Sequence, residues 1–125
     1  MYRILALSQD KDLYAGVRDF LGDSSDIEIK TFTNSLDFLE KFSSLHTELV
    51  ILDIDLLNEQ VLKLINILQS IKRNSQVILI LSKDKMGICS AAFSLGVVSY
   101  LIKPVSTKNV YDVISTTLQK QINRV

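Results

Sequence analysis

Short apolar runs alternate along this chain with segments whose apolar residues recur every three to four positions. The runs cover residues 4–7, 27–32, 49–52, 77–81 and 97–102. Four are continuous, as strands covered on both faces require. The second differs: Ile27, Ile29 and Thr31 alternate with Glu28 and Lys30, which predicts a half-exposed edge strand. Between the runs the period becomes helical. Leu13, Tyr14, Val17, Phe20 and Leu21 form one stripe, with Gly22 as its stop. Asn34 or Ser35 caps a second helix that buries Leu36, Leu39 and Phe42. A third, from about Asn58 to Lys72, turns Val61, Leu64, Ile65, Leu68 and Ile71 inward. A fourth buries Ile88, Ala91, Ala92 and Leu95 and ends at Gly96. The fifth starts at Ser106 or Thr107, with Val110, Val113, Ile114 and Leu118 facing in.

Strand and helix in strict alternation predict an α/β fold with a parallel sheet and right-handed crossovers. At 125 residues, with no linker, repeat or low-complexity segment, residues 1–125 read as one domain with a real core. Fourteen acidic residues balance fourteen Lys and Arg, so overall charge gives no reason to expect nucleic-acid or anionic-membrane binding. The apolar runs are strand-sized, too short to span a bilayer. Tyr2-Arg3 leads at once into a strand, so no signal peptide is expected. Cys89 is the single cysteine, which fits a reducing cytoplasm, and no His lies near it to make a catalytic thiol. His46 stands alone in a polar connection and reads as a surface residue.

In an open parallel sheet the groups beyond the carboxyl ends of the strands line the ligand crevice. The third run ends in Asp53, the fourth in Ser82, and the fifth in Lys103-Pro104. The first ends in Ser8-Gln9, with no carboxylate until Asp10.

These strand ends resemble those of response-regulator receiver domains over essentially the whole chain. Glu48-Leu49-Val50-Ile51-Leu52-Asp53 is similar to the phosphoacceptor strand, and Leu81-Ser82 to the strand ending in a hydroxyl residue. Ala91-Ala92-Phe93-Ser94-Leu95-Gly96 with Tyr100-Leu101-Ile102-Lys103-Pro104-Val105 is the most specific match. The resemblance implies a doubly wound, five-stranded, flavodoxin-like sheet of order 2-1-3-4-5 between two helical layers. It implies a cis Lys103-Pro104 bond. It also implies roles: Asp53 as phosphoacceptor, Ser82 and Lys103 on the phosphoryl oxygens, and Tyr100 as a rotating aromatic switch. The acidic pair that holds Mg²⁺ in the family is replaced here by Ser8 and Gln9, the usual Pro-Gly turn by Leu57-Asn58, and Lys83 stands where a small side chain is usual.

Mg²⁺ takes hard oxygen ligands, commonly one or two carboxylates plus water and phosphate oxygens. Asp53 and Lys103 alone sum to zero charge, and Ser8 and Gln9 add neutral oxygens only. Phosphoryl transfer depends on positioning and on cancelling negative charge, so losing both strand-one acids damages its main requirement. Asp55, Asp84 and Asp10 are the acids placed to compensate, although Asp10 is more simply the cap of the first helix. Mg²⁺ binding is therefore expected to be weak. A bland account stands beside the functional one: Asp53 and Lys103 as a structural ion pair, Ser82 bonding a loop backbone, Tyr100 as a packing aromatic.

Met86, Cys89 and Phe93 form a second apolar edge on the fourth helix. In the family, the face of helix four, strand five and helix five docks partners or dimerises. Val98-Ser99 lack the acids of the subfamily that dimerises through salt bridges. Either Met86, Phe93 and Val98 make a small apolar contact surface, or Phe93 tucks against Tyr100 and leaves none. The expectation is a cytoplasmic, non-enzymatic signalling domain, monomeric or weakly dimeric. It would signal mainly by contact with a histidine kinase or downstream effector, and no output domain is expected within these residues. The alternative is a working phosphorelay receiver. A nucleotide or flavin site would need a Gly-rich first turn, which Ser8-Gln9-Asp10-Lys11-Asp12 is not.

Overall fold

The computed structural model describes residues 2–22, 26–57, 60–73 and 75–122. Five parallel strands, β1 (Tyr2–Leu7), β2 (Ile27–Phe32), β3 (Leu49–Asp53), β4 (Gln76–Leu81) and β5 (Val97–Ile102), stand in the order β2-β1-β3-β4-β5. The helices are α1 (Lys11–Leu21), α2 (Ser35–Ser44), the single turn α3 (Ile54–Leu57), α4 (Val61–Ile71), α5 (Cys89–Ser94) and α6 (Thr107–Ile122). A 3₁₀ segment, Lys83–Ile88, precedes α5.

Alternation along each continuous run divides the core in two. Leu5, Leu7, Val50, Leu52, Leu79 and Leu81 pack with Phe38, Phe42, Leu64, Ile65 and Leu68 of α2 and α4. Ile4, Ala6, Leu49, Ile51, Ile78 and Ile80 pack with Tyr14 and Val17 of α1 and with Val110, Ile114 and Leu118 of α6. This is the doubly wound sheet expected, and Lys103-Pro104 is cis. Among the described residues no helix is long and apolar enough to cross a membrane.

Several helix faces depart from the sequence pattern. Asn34 is the α2 cap, its side chain accepting from the Asp37 N–H, and this phase turns Phe38 and Phe42 inward. Leu36, about 200° from Phe38 around the helix, is 79% exposed instead of buried. Phe20 is also exposed and stacks on Tyr111 of α6, ring centroids 5.5 Å apart. Ile71 is exposed in the last turn of α4. Asn58, the expected start of that helix, lies outside the described residues. The fourth helical segment winds as 3₁₀ through Ile88, so Cys89 and Ala92 become its buried pair and Ala91 faces out. Met86 packs partly against the core, and Cys89 is buried, so neither forms an open apolar edge.

The fifth strand stands at the second edge of the sheet, as the order 2-1-3-4-5 implies, but it is covered less fully than its run suggested. Its register against β4 slips: Val77 pairs with Val97 but Ile78 with Ser99, leaving Val98 as the extra residue of a bulge. Val98 and Ile102 are exposed as a result of this edge position. Gly96, at φ +102, makes the turn from α5 into β5 in a conformation that L side chains rarely adopt.

Candidate functional site

Four strand ends meet at the carboxyl edge of the sheet. β3 ends on Asp53, whose carboxylate is 11% exposed. The chain then makes the α3 turn, pinned by the buried side chains of Ile54 and Leu57. The Asp55 N–H donates to Asp53 Oδ1 at 3.0 Å. β5 delivers Lys103, fixed by its backbone N–H to the Leu81 carbonyl at 2.8 Å. Lys103 Nζ lies 3.0 Å from Asp53 Oδ1, 3.0 Å from Asp53 Oδ2 and 2.9 Å from Asp55 Oδ2. Ser82, at the end of β4, donates its hydroxyl to Asp55 Oδ1 at 2.9 Å.

The first corner is closed on itself. Ser8 is 4% exposed, and its hydroxyl oxygen accepts from the Asp10 N–H at 3.1 Å. Asp10 caps α1 through Leu13 N–H at 3.0 Å, as its position suggested. Two adjoining clefts open over the site. One of about 460 Å³ is lined by Ser8, Asp10, Leu13, Asp53, Ile80, Lys103, Pro104 and Val105. The other, about 560 Å³, is lined by Gln9, Asp10, Asp53, Asp55 and Lys103. A larger cleft of about 630 Å³ lies at the opposite end of the sheet, where it is lined by no carboxylate.

Charge balance differs from that of Asp53 and Lys103 alone. Two carboxylates against one ammonium leave the contact cluster at minus one, with Asp10 a further acid at the rim. Burial pushes the Asp55 carboxyl up, but hydrogen bonds from Lys103 and Ser82 outweigh it and hold it below the ordinary range. Burial pushes the Lys103 ammonium down, but bonds to Asp55 and Asp53 outweigh that and raise it.

These donors do not fit the Mg²⁺ site that the resemblance implies. Both Asp53 oxygens and one Asp55 oxygen face Lys103, the second Asp55 oxygen faces Ser82, and the Ser8 oxygen serves the turn. Among the described residues no group of three or more His, Cys, Asp and Glu side chains is placed to hold a metal ion.

Asp53, Ser82, Lys103 and Asp55 thus come together, with Gln9 and Asp10 at the rim of the cleft. Asp84 and Lys83 are exposed at the start of the 3₁₀ segment and line neither cleft. Tyr100 is half-buried, its ring edge-on to Phe93 at 5.9 Å. Phe93 nonetheless keeps 44% of its surface exposed. Sequence reasoning did not foresee the setting of Tyr14, which is fully buried with a hydroxyl that has no hydrogen-bond partner among the described residues. Burial, then the charges of Asp53 and Asp10, raise its pKa, so the phenol stays protonated. Its place in an apolar stripe gave no signal of this. His46 is exposed and pairs with Glu48 at 3.1 Å.

A five-stranded sheet of this order with an acid, a hydroxyl and a lysine at successive strand ends defines a receiver domain. Residues 4–115 match the family model of the response regulator receiver domain, and the chain belongs to that family, the receiver module of two-component signalling. No curated protein matches the chain significantly. Among solved structures, it is similar to a CheY-like response regulator receiver domain protein from Methanospirillum hungatei, at TM-score 0.80 and 18% identity over 100% of this chain and 99% of that one. A receiver domain protein from Clostridium thermocellum superposes at TM-score 0.79 with 19% identity over 97% of each chain. A response regulator from Thermotoga maritima does so at 0.81 with 13% identity, over 95% of this chain and 98% of that one. At such identities the likeness is one of fold.

Proposed function

We propose that this chain is a divergent receiver that signals mainly by contact with a protein partner, with Mg²⁺-dependent phosphorylation of Asp53 weak or absent. The observation that carries this is Lys103. Its ammonium faces three carboxylate oxygens, the atoms a divalent cation would need, while Ser8 and Gln9 offer no charge in exchange. A phosphoryl group arriving at Asp53 would meet a cluster already net negative, without the metal that cancels such charge.

Receivers work with kinases or effectors, and the contact face proposed here is that of α5, β5 and α6, the helix 4–strand 5–helix 5 face of the sequence pattern. Phe93, Val98 and Ile102 supply exposed apolar surface there. A cytoplasmic setting fits both the family and the single cysteine, and neither nucleic acid nor membrane is a proposed partner of this domain. The test is incubation with Mg²⁺ and a small acyl-phosphate donor, read by intact mass beside an Asp53→Asn reference. No phosphoryl adduct is expected. A Mg²⁺-dependent adduct that disappears in Asp53→Asn would instead establish a working phosphorelay receiver, the reading favoured by the retained convergence of Asp53, Ser82 and Lys103.

A further inference from the structure

We propose that the Asp55 carboxylate is a built-in anion that fills an oxyanion cradle formed by the Ser82 hydroxyl and the Lys103 ammonium. The two donors come from different strand ends, yet each reaches a different oxygen of one carboxylate, both at 2.9 Å. A hydroxyl and an ammonium converging at this spacing are the chemistry that holds a phosphate-class oxyanion. Here the anion belongs to the chain. It is presented by α3, held by the buried Ile54 and Leu57 and by the Asp55 N–H to Asp53 contact. A tethered carboxylate competes at high effective concentration, so an external oxyanion must displace it before using either donor. The cradle is therefore self-occupied, and its state is governed by Asp55 and not by an arriving group.

The proposal rests on the divergent-receiver reading but is tested without metal and without the Asp53 carboxylate, so the two fail separately. Inorganic phosphate is titrated into Asp53→Asn and into Asp53→Asn/Asp55→Ala, following the amide resonances of Ser82 and Lys103; the Asp53 substitution removes a charge that would repel the probe. Binding about tenfold or more tighter in the double variant is expected from two freed charge-assisted contacts. A third protein also carrying Ser82→Ala is expected to lose most of that gain. Equal affinities in the first two proteins would overturn the proposal. So would an undiminished gain in the third, which would assign the anion to a bare ammonium. Asp53→Asn/Asp55→Asn, which keeps the side-chain volume, serves if the alanine variant unfolds: an intermediate affinity is expected, and an affinity equal to that of Asp53→Asn counts against the cradle.

Discussion

Lys103 Nζ sits 3.0 Å from each carboxylate oxygen of Asp53, although the two residues are fifty positions apart in the chain. The contact joins the ends of β3 and β5, strands that are not neighbours in the sheet. Losing one member of a buried pair leaves an uncompensated charge, at about 3–5 kcal/mol when burial is complete. Lys103 is 34% exposed, which discounts this. Lys103→Met is expected to lower the unfolding free energy by about 1–2 kcal/mol in urea titration. Addition of Asp53→Asn should recover part of it. A variant as stable as the wild type would mean that water already screens the pair.

The same cluster sets a pH window. Asp55 has a lowered carboxyl pKa, so its contribution is full above the ordinary carboxylate range and is lost as pH falls through its folded value. Lys103 is raised, so its contribution is full below the ordinary lysine range and is lost as pH rises through its folded value. Thermal melts should show a plateau across neutral pH with losses at both ends, and Asp55→Asn should reduce the acid-side loss. An acid limb unchanged in that variant would place its origin in other carboxylates.

Restoring charge to the first corner should restore metal affinity. Ser8→Asp/Gln9→Asp is expected to bind Mg²⁺ where the wild type shows no saturable titration, because the two added carboxylates take the cluster from minus one to minus three and supply oxygens that do not already face Lys103. Ser8 is buried and its hydroxyl holds the turn, so Gln9→Asp alone is the milder test. Failure of both folded variants to bind would show that Lys103, and not the missing acids, excludes the ion.

The unpartnered hydroxyl of Tyr14 predicts a stabilising substitution. Tyr14→Phe keeps the ring in the core and removes a buried donor that has no partner among the described residues, for a gain of about 1 kcal/mol in denaturant unfolding. Destabilisation by a similar amount would mean that the phenol bonds an internal water.

Phe93→Asp tests the contact face. With 44% of its surface exposed, Phe93 can lose its ring at modest stability cost. Sedimentation at high protein concentration should show weak self-association of the wild type that the variant abolishes. A dimer that persists unchanged would move the interface elsewhere.

The alternation of runs and stripes was enough to order the elements, because strands buried on both faces must be apolar throughout and helices on one face only. The strand ends likewise exposed Asp53, Ser82 and Lys103, since position past a parallel strand is itself a placement. Helix phase was less legible. Leu36 and Phe38 are equally apolar, and only capping by Asn34 together with packing against β1 turned Phe38 inward. The bulge at Val98 was not legible either: Ser99 follows it as a polar residue in the run, but a single polar position does not specify a shift of register.

The divide between chain and fold is clearest at Asp55. Residue types and periodicity determined the sheet, its order by resemblance, and the loss of charge at Ser8 and Gln9. They placed Asp55 near the site only as one of three acids positioned to compensate for that loss. Which groups its carboxylate meets depended on the α3 turn, on the convergence of three strand ends, and on side-chain reach of a few ångströms. Those are long-range geometric facts, and only the tertiary structure could decide that Asp55 takes Ser82 and Lys103 as its partners.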